Sequence, residues 1–424
     1  MHQFLDFKSF EDARLDTFRP LTLLIGKNGS GKSNVIEGME LLAEIAHGRP
    51  LYEITDVGRG GSGFQVRGGL AACPRGGRAT FSLAFVSNLW FEGSYQPSLY
   101  QVTVRPLPEP RIEHEVLSVA GRPLFDARLT PGSSILAARY ENFTKSRNKP
   151  EEALPADRSV LSRYELFAAR LPRLAPALAS VDTLRKYLRA AFAFDPQPKT
   201  MRAYERIGNR VLSRDGSNLS AVLYALQQGT EAEKAALARI LERIRQVPEE
   251  PLQDFAFVTT SLNDVLFGFR ERKDGPVVDA RLLSDGTLRC LAVLTALETV
   301  AESSRVVIEE FDNGLHPSRV NVLTQAISDA CARRKLNVVC TTHNPATLNG
   351  LSPEELKGVV LCFWEPGKAA SRLMPLLELP RADVLLERGQ LGDLVTRRVL
   401  EQHLLPNFEE AQKAKAKEWL DSLP

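Results

Sequence analysis

Cysteine is scarce and unpatterned. The five in this 424-residue chain (Cys73, Cys290, Cys331, Cys340, Cys362) include no C-x-x-C pair. That excludes a zinc or disulfide framework and points to reduced, buried thiols of a cytoplasmic protein. The six histidines (His2, His47, His114, His316, His343, His403) never cluster, so an HNH-type nuclease centre is not expected. No D-x-D pair occurs anywhere, which removes another metal-dependent nuclease pattern. Charge of one sign is lacking too: 54 basic against 52 acidic residues leave a formal +2, and that balance names no partner. No apolar run approaches the roughly 20 residues of a membrane span; the nearest, "LAVLTALETVA", is broken by Glu298. The opening "MHQFLDFKSFEDAR" alternates apolar with charged residues, unlike a signal peptide. Sustained heptads, internal repeats and low-complexity tracts are absent from the sequence. A guanine-reading N-K-x-D is missing; "NKPE" at Asn148–Glu151 has glutamate in the last place and no strand before it.

What is present begins at Leu21. "LTLLIGKNGSGKSN" is an apolar strand pattern followed by three glycines and Lys-Ser, and "SNVIEGMELLAEIA" continues it with helical spacing. The spacing fits G-x-x-x-x-G-K-[ST] in its strand-to-helix context. Gly26, Gly29 and Gly31 allow successive N–H groups to turn toward one anion. Lys27, Asn28, Ser30 and Asn34 complete the loop, Lys32 reaches the β/γ-phosphates, and the Ser33 hydroxyl suits Mg²⁺. The chain is expected to bind a nucleoside triphosphate.

The second half of the chemistry lies downstream. "RVVIEEFDNGLHP" is an apolar strand ending in Glu309 and Glu310. An adjacent acid pair suits nucleotide hydrolysis, one acid serving the metal and its neighbour the attacking water. Glu309 is assigned to the metal and Glu310 to the base. "LLSDGTLR" sets Ser284, Asp285, Gly286 and Thr287 at a helix start, an anion site with Ser284 or Asp285 as cap. "NVVCTTHNP" ends a further strand with His343, placed to hydrogen-bond a γ-phosphate.

Four regions are expected: 1–130, carrying the phosphate loop and an antiparallel β lobe from Arg78 to Val104; 131–250, a basic helical lobe; 251–380, with alternating strands and helices; and 381–424, a helical tail. Helical text runs from Ser159 to Phe194 and from Asn218 to Val247. Between Arg139 and Asp215 sixteen Lys/Arg face nine Asp/Glu, a candidate nucleic-acid footprint or a solvated arginine-rich face.

Together these pieces resemble the ATP-binding-cassette ATPase head of the RecF, SMC and OLD proteins. "LPADRSVLSRYE", "DGSNLSAVLYAL" and "LLSDGTLR" resemble bacterial single-chain ATPases of the AAA_21 type close to OLD and defence-associated proteins. The resemblance implies an α/β P-loop NTPase fold: a largely parallel mixed sheet, an antiparallel β lobe and an inserted compact helical lobe. It implies ATP and Mg²⁺ as cofactors, Gly26–Ser33 as Walker A, Glu309/Glu310 as the end of Walker B, Asn313–His316 as the D-loop and His343 as the switch histidine. Ser284–Thr287 would be the signature, acting in trans on ATP bound to a second copy in a head-to-tail dimer. Asp285 departs from the usual second glycine, Glu309 from the usual aspartate, and His316 from the transporter aspartate; Gln65 is the candidate for the Q-loop. A TOPRIM domain is not expected, so a separate effector or nuclease chain is, in defence against mobile elements or in DNA repair. A transporter ATPase subunit and a nucleotide-binding scaffold with little turnover are the alternatives.

Overall fold

The computed structural model describes residues 1–55, 64, 66–145, 148–168, 171–189, 191–247, 252–272, 274–397 and 399–404. The chain opens with an antiparallel hairpin, β1 (His2–Phe7) and β2 (Phe10–Leu15). Then come β3 (Leu21–Ile25) and, past the glycine-laced loop, helix α1 (Lys32–Ala46). Packing sorts the chain into two units. One comprises Met1–Phe18, Asn28–Phe192 and Pro366–Leu373; the other comprises Arg19–Lys27, Ala193–Glu365 and the chain from Met374 on.

The first unit is built on antiparallel strands. β1 pairs with β4 (Phe81–Phe91), followed in order by β5 (Ser94–Arg105), β6 (Arg111–Val119), β7 (Arg122–Leu129), β8 (Ile135–Tyr140) and β9 (Glu151–Pro155). The period-2 text explains them: β5 buries Ser98, Tyr100, Val102 and Val104 and leaves the residues between at the surface of the sheet. α1 buries Val35, Ile36, Met39 and Leu42, and α2 (Ala175–Arg189) belongs to the same unit. Inside it, the buried Glu115 carboxylate accepts from Tyr100 Oη at 3.0 Å, Ser159 Oγ at 2.6 Å and the Val160 and Leu161 N–H groups at 2.7 and 3.0 Å. Burial pushes this carboxyl above the usual range against the pull of those four bonds.

The second unit holds the parallel sheet. β12 (Arg305–Ile308), β13 (Asn337–Thr342), β3 and β14 (Val359–Glu365) lie side by side in that order, all parallel. β3 is buried at every position, as a strand covered on both faces must be. A smaller antiparallel pair, β10 (Asp254–Thr259) and β11 (Asp264–Arg270), accompanies it. Its longer helices are α3 (Leu219–Gln228), α4 (Glu231–Arg245), α5 (Asp285–Thr299) and α6 (Pro317–Arg334). α4 starts on a capping box in which Thr230 and Glu233 exchange side-chain and backbone bonds.

One helical expectation is corrected. The text from Ser159 to Phe194 is not helical to its end, because Ala191–Phe194 forms a strand; its Ala-Phe alternation has the strand's period of two. In the described part of the tail, Ala382–Arg388, Leu391–Thr396 and Val399–His403 are short helices, the first two separated by extended Gly389 and Gln390. The 131–250 stretch carries β8 and β9 besides α2, α3 and α4, and the two units divide within it at 192/193. All five cysteines are free and buried. Among the described residues no helix is long and apolar enough to cross a membrane.

Candidate nucleotide site

The loop leaving β3 holds Gly26, Gly29 and Gly31 at φ 151°, 79° and 113°, a region that residues with a Cβ resist. A Cβ on Gly31 would also lie 3.0 Å from each of Phe10 Cζ, Ser371 Oγ and Ser9 Oγ. Gly31 is the N-cap of α1, and no side chain caps that helix. Its first N–H groups and the positive end of its dipole therefore suit an anion. Lys32 and Ser33 are the first two residues of α1; Lys32 is buried, and Asn34 donates to Ser9 Oγ at 2.8 Å. Lys27, Asn28 and Gly29 are exposed and Ser30 is buried. Gly26 and Lys27 belong to the second unit and Asn28 to Asn34 to the first. Gln65 lies outside the described residues.

The acid pair follows β12. Register sets Ile308 beside Cys340 and Thr342 beside Ile25, so β12, β13 and β3 run in one direction and release the chain toward the same edge. That edge is where parallel α/β sheets bind ligands. Glu309 and Glu310 leave β12 there, His343 leaves β13 and Gly26 leaves β3. Glu310 sits at φ 44°, a left-handed conformation that costs a residue with a side chain about 1–2 kcal/mol. Three hydrogen bonds hold its backbone. Its N–H donates to Thr341 Oγ1 at 2.8 Å, and its carbonyl accepts from Asn313 N–H at 2.9 Å and from Arg289 Nη1 at 3.4 Å. The carboxylate accepts from Asn313 Nδ2 at 2.9 Å and lies 3.8 Å from His343 Nδ1, both groups being about half exposed. The two candidates, Glu310 for the base and His343 for the γ-phosphate contact, are thus brought together.

Asp312 was not singled out by sequence reasoning, yet it fastens this arrangement. Buried, it accepts from the hydroxyls of Thr342 and Thr347, and burial pushes its carboxyl above the usual range. Thr342 in turn accepts from Asn344 N–H at 3.0 Å. The adjacent threonines before His343 therefore divide the work, Thr341 holding Glu310 and Thr342 holding Asp312. The signal was the Thr-Thr pair in "CTTHNP", which reads equally well as ordinary strand.

Ser284 is the N-cap of α5, accepting from Thr287 N–H at 3.1 Å. Asp285 is the first helical residue, not the cap; its carboxylate pairs with Arg202 at 2.6 Å, and Arg202 also donates to Leu283 O at 2.8 Å. The shorter serine reaches the third N–H from outside the helix, the geometry a cap requires. Arg319, on the first turn of α6, donates to Ser284 Oγ at 3.1 Å and to Thr287 Oγ1 at 3.2 Å. His316 caps α6, its Nδ1 accepting from Ser318 N–H at 3.4 Å. Arg202, Arg289 and Arg319 carried no local signal, because arginine on a helix or loop reads as solvated surface.

The excess of cations between Arg139 and Asp215 is extensively engaged within the chain. Arg139 pairs with Glu151, Lys149 with Glu141, Arg158 with Asp157, Arg185 with Glu165 and Asp182, Arg202 with Asp285, and Arg210 with Glu233. Arg163 donates to the carbonyls of Pro155, Arg158 and Ser159. Arg147 and Arg170 lie outside the described residues.

For a divalent cation the donor chemistry is hard oxygen. The Ser33 hydroxyl stands on the first turn of α1, and Glu309 is half-buried at the end of β12. Among the described residues no group of three or more His, Cys, Asp or Glu side chains could cage a metal. A hydroxyl and a carboxylate are each oxygen donors of the kind Mg²⁺ takes beside phosphates and water.

A phosphate loop between a buried parallel strand and a helix, with an acid pair and a histidine leaving the neighbouring parallel strands, is the pattern of a P-loop NTPase fold. The chain belongs to the AAA_21 family, described as AAA domain, putative AbiEii toxin, Type IV TA system, whose model matches residues 21–92 and 107–349. No curated protein matches it. Among solved structures it is similar to the SmcHead bound to the C-winged helix domain of ScpA, at 14% identity and TM-score 0.43 over 88% of this chain and 95% of that one. It is also similar to the SMC head domain from Thermotoga maritima, at 12% identity and TM-score 0.41 over 88% and 97%. The Pyrococcus furiosus Smc head with an extended coiled coil, bound to the C-terminal domain of ScpA, gives 12% identity and TM-score 0.46 over 91% and 98%.

Proposed function

We propose that this protein is an ATP-hydrolysing switch whose chemistry serves conformation. The observation that carries it is Glu310, held against its backbone preference by Thr341 beside His343; strain of this kind is retained where a site requires it. The loop Gly26–Ser33, with Asn34 behind it, cradles the phosphates, and Lys32 neutralises the β/γ oxygens. Glu310 takes the proton of the attacking water, and His343 hydrogen-bonds the γ-phosphate. Ser33 and Glu309 would hold Mg²⁺, which when bound offsets charge developing on the phosphate oxygens. Ser284, Asp285, Gly286 and Thr287 meet the nucleotide of a second copy in a head-to-tail dimer, which opens when the γ-phosphate is lost.

The switch acts in the cytoplasm on a partner effector or nuclease, in bacterial defence or DNA repair; the family's description as a putative toxin of a toxin–antitoxin system supports such a setting. DNA contact through Arg139–Asp215 would have to use the cations that remain available beyond the internal pairs.

Two variants test the chemistry. Lys32→Ala loses affinity for ATP itself, measured with a fluorescent ATP analogue, whereas normal affinity would sink the cradle. Glu310→Gln keeps ATP binding, loses turnover and accumulates an ATP-bound dimer in analytical ultracentrifugation. Unchanged turnover would remove Glu310 from the role of base. Turnover with and without DNA across a salt series tests the trigger. Stimulation that fades with salt marks a DNA-responsive switch, and indifference to DNA moves the trigger to a partner protein.

A further inference from the structure

Two arginines bind the signature helix and the acidic loop to each other in opposite directions. Arg289, on α5, reaches the Glu310 carbonyl at 3.4 Å. Arg319, on α6 just past the acidic loop, reaches back to Ser284 Oγ at 3.1 Å and Thr287 Oγ1 at 3.2 Å. The second approach is close. A Cβ on Gly286 would lie 3.0 Å from Arg319 Nη1 and 3.2 Å from Leu315 Cδ2, so a side chain there would press on the guanidinium.

The hydrogen bonds orient Ser284. A hydroxyl oxygen has two lone pairs and one proton. Ser284 Oγ accepts from Thr287 N–H and from Arg319, so both lone pairs point into its own chain. Its hydroxyl and that of Thr287 lie 2.8 Å apart, one donating to the other, so a phosphate oxygen approaching Ser284 would draw a proton from that bond. A donor is what a phosphate oxygen requires, and the guanidinium behind it adds favourable charge.

We propose that Arg319 and Arg289 form a clasp that makes the presentation of Ser284 and the placement of Glu310 one two-state element. Both are positioning residues. When the acidic loop shifts with the state of its own nucleotide, Arg319 carries the shift to Ser284, and a change at Ser284 returns to Glu310 through α5 and Arg289. In a head-to-tail dimer, contact at one nucleotide and hydrolysis at the other then rise and fall together. The inference rests on the reading that Ser284 acts in trans.

The test uses the full chain carrying Glu310→Gln, with ATP and Mg²⁺, and reads dimer affinity by analytical ultracentrifugation. Adding Arg319→Met, which keeps the aliphatic stem and removes the donors, should weaken the ATP-dependent dimer about tenfold or more, the scale of one charge-assisted hydrogen bond. Binding of a fluorescent ATP analogue to the monomer should not change, and Arg319→Lys should restore part of the loss. Unchanged dimer affinity in Arg319→Met overturns the clasp. A Glu310→Gln parent that stays monomeric with ATP overturns the trans reading itself, and the clasp with it. Arg289→Gln in the unmodified chain provides an arm that does not depend on Arg319→Met folding. It should lower kcat several-fold with KM for ATP unchanged, and an unaltered kcat refutes that half of the clasp.

Discussion

Glu310 stands at φ 44°, and replacing it by glycine and by alanine separates the cost of the backbone from the work of the side chain. Both variants lose the carboxylate, its bond from Asn313 and its approach to His343, so they differ only in what the backbone tolerates. A residue with a Cβ is about 1–2 kcal/mol less favourable than glycine in the left-handed region. Glycine in turn loses about 0.5–1 kcal/mol more conformational entropy on folding than alanine. The difference leaves glycine ahead by roughly 0–1.5 kcal/mol, centred near 0.7, whereas at an ordinary helix or strand position it would fall behind by about 0.5–1. The sign of the comparison is therefore diagnostic. Urea unfolding followed by circular dichroism should give Glu310→Gly a higher midpoint than Glu310→Ala. ATP turnover should fall in both by about 10²–10⁴-fold, the usual contribution of a general base. A glycine variant that unfolds before the alanine variant would refute the strain, and turnover surviving in either would refute the base.

Thr341→Val keeps the shape of β13 but leaves the Glu310 N–H without its acceptor. Stability should drop by about 1–3 kcal/mol and kcat should fall with it; an unchanged kcat would show that Thr341 does not position the base. Gly31→Ala meets both a left-handed φ and three atoms at 3.0 Å, so ATP binding and the urea midpoint should fall together, and a variant that still binds ATP normally would refute the cradle's need for glycine. Glu115 binds its proton more tightly when folded than its ordinary value of 4.5. Its stabilising contribution is therefore complete below that value and lost as pH rises through the raised one. Glu115→Gln should flatten the urea midpoint against pH above 4.5, and parallel curves would refute the assignment. Burial pushes the Cys73 and Cys331 thiols up to about 12, so a thiol reagent at pH 8 should label neither in the native protein and all five cysteines after denaturation.

The local chemistry of the site was legible along the chain. The phosphate loop is written in three glycines and a Lys-Ser within eight residues, the buried strands in unbroken apolar runs, and the cap of α5 in a serine three residues before the N–H it receives. Each depends on bonds a few residues long, so spacing suffices to read it. Asp285 was legible only as one of two possible caps, and packing decided for Ser284 by engaging Asp285 with Arg202. The strand that ends the 159–194 stretch is not legible, because four residues are too few for either period to dominate until a neighbouring strand supplies the partner. What holds the site in working order came from tertiary structure alone. Thr341 meets Glu310 across 31 residues, Asp312 meets Thr342 across 30, and Arg319 meets Ser284 across 35. Parallel strands with helices between them bring such residues together at one edge of the sheet. No spacing in the text encodes which arginine among many arrives there.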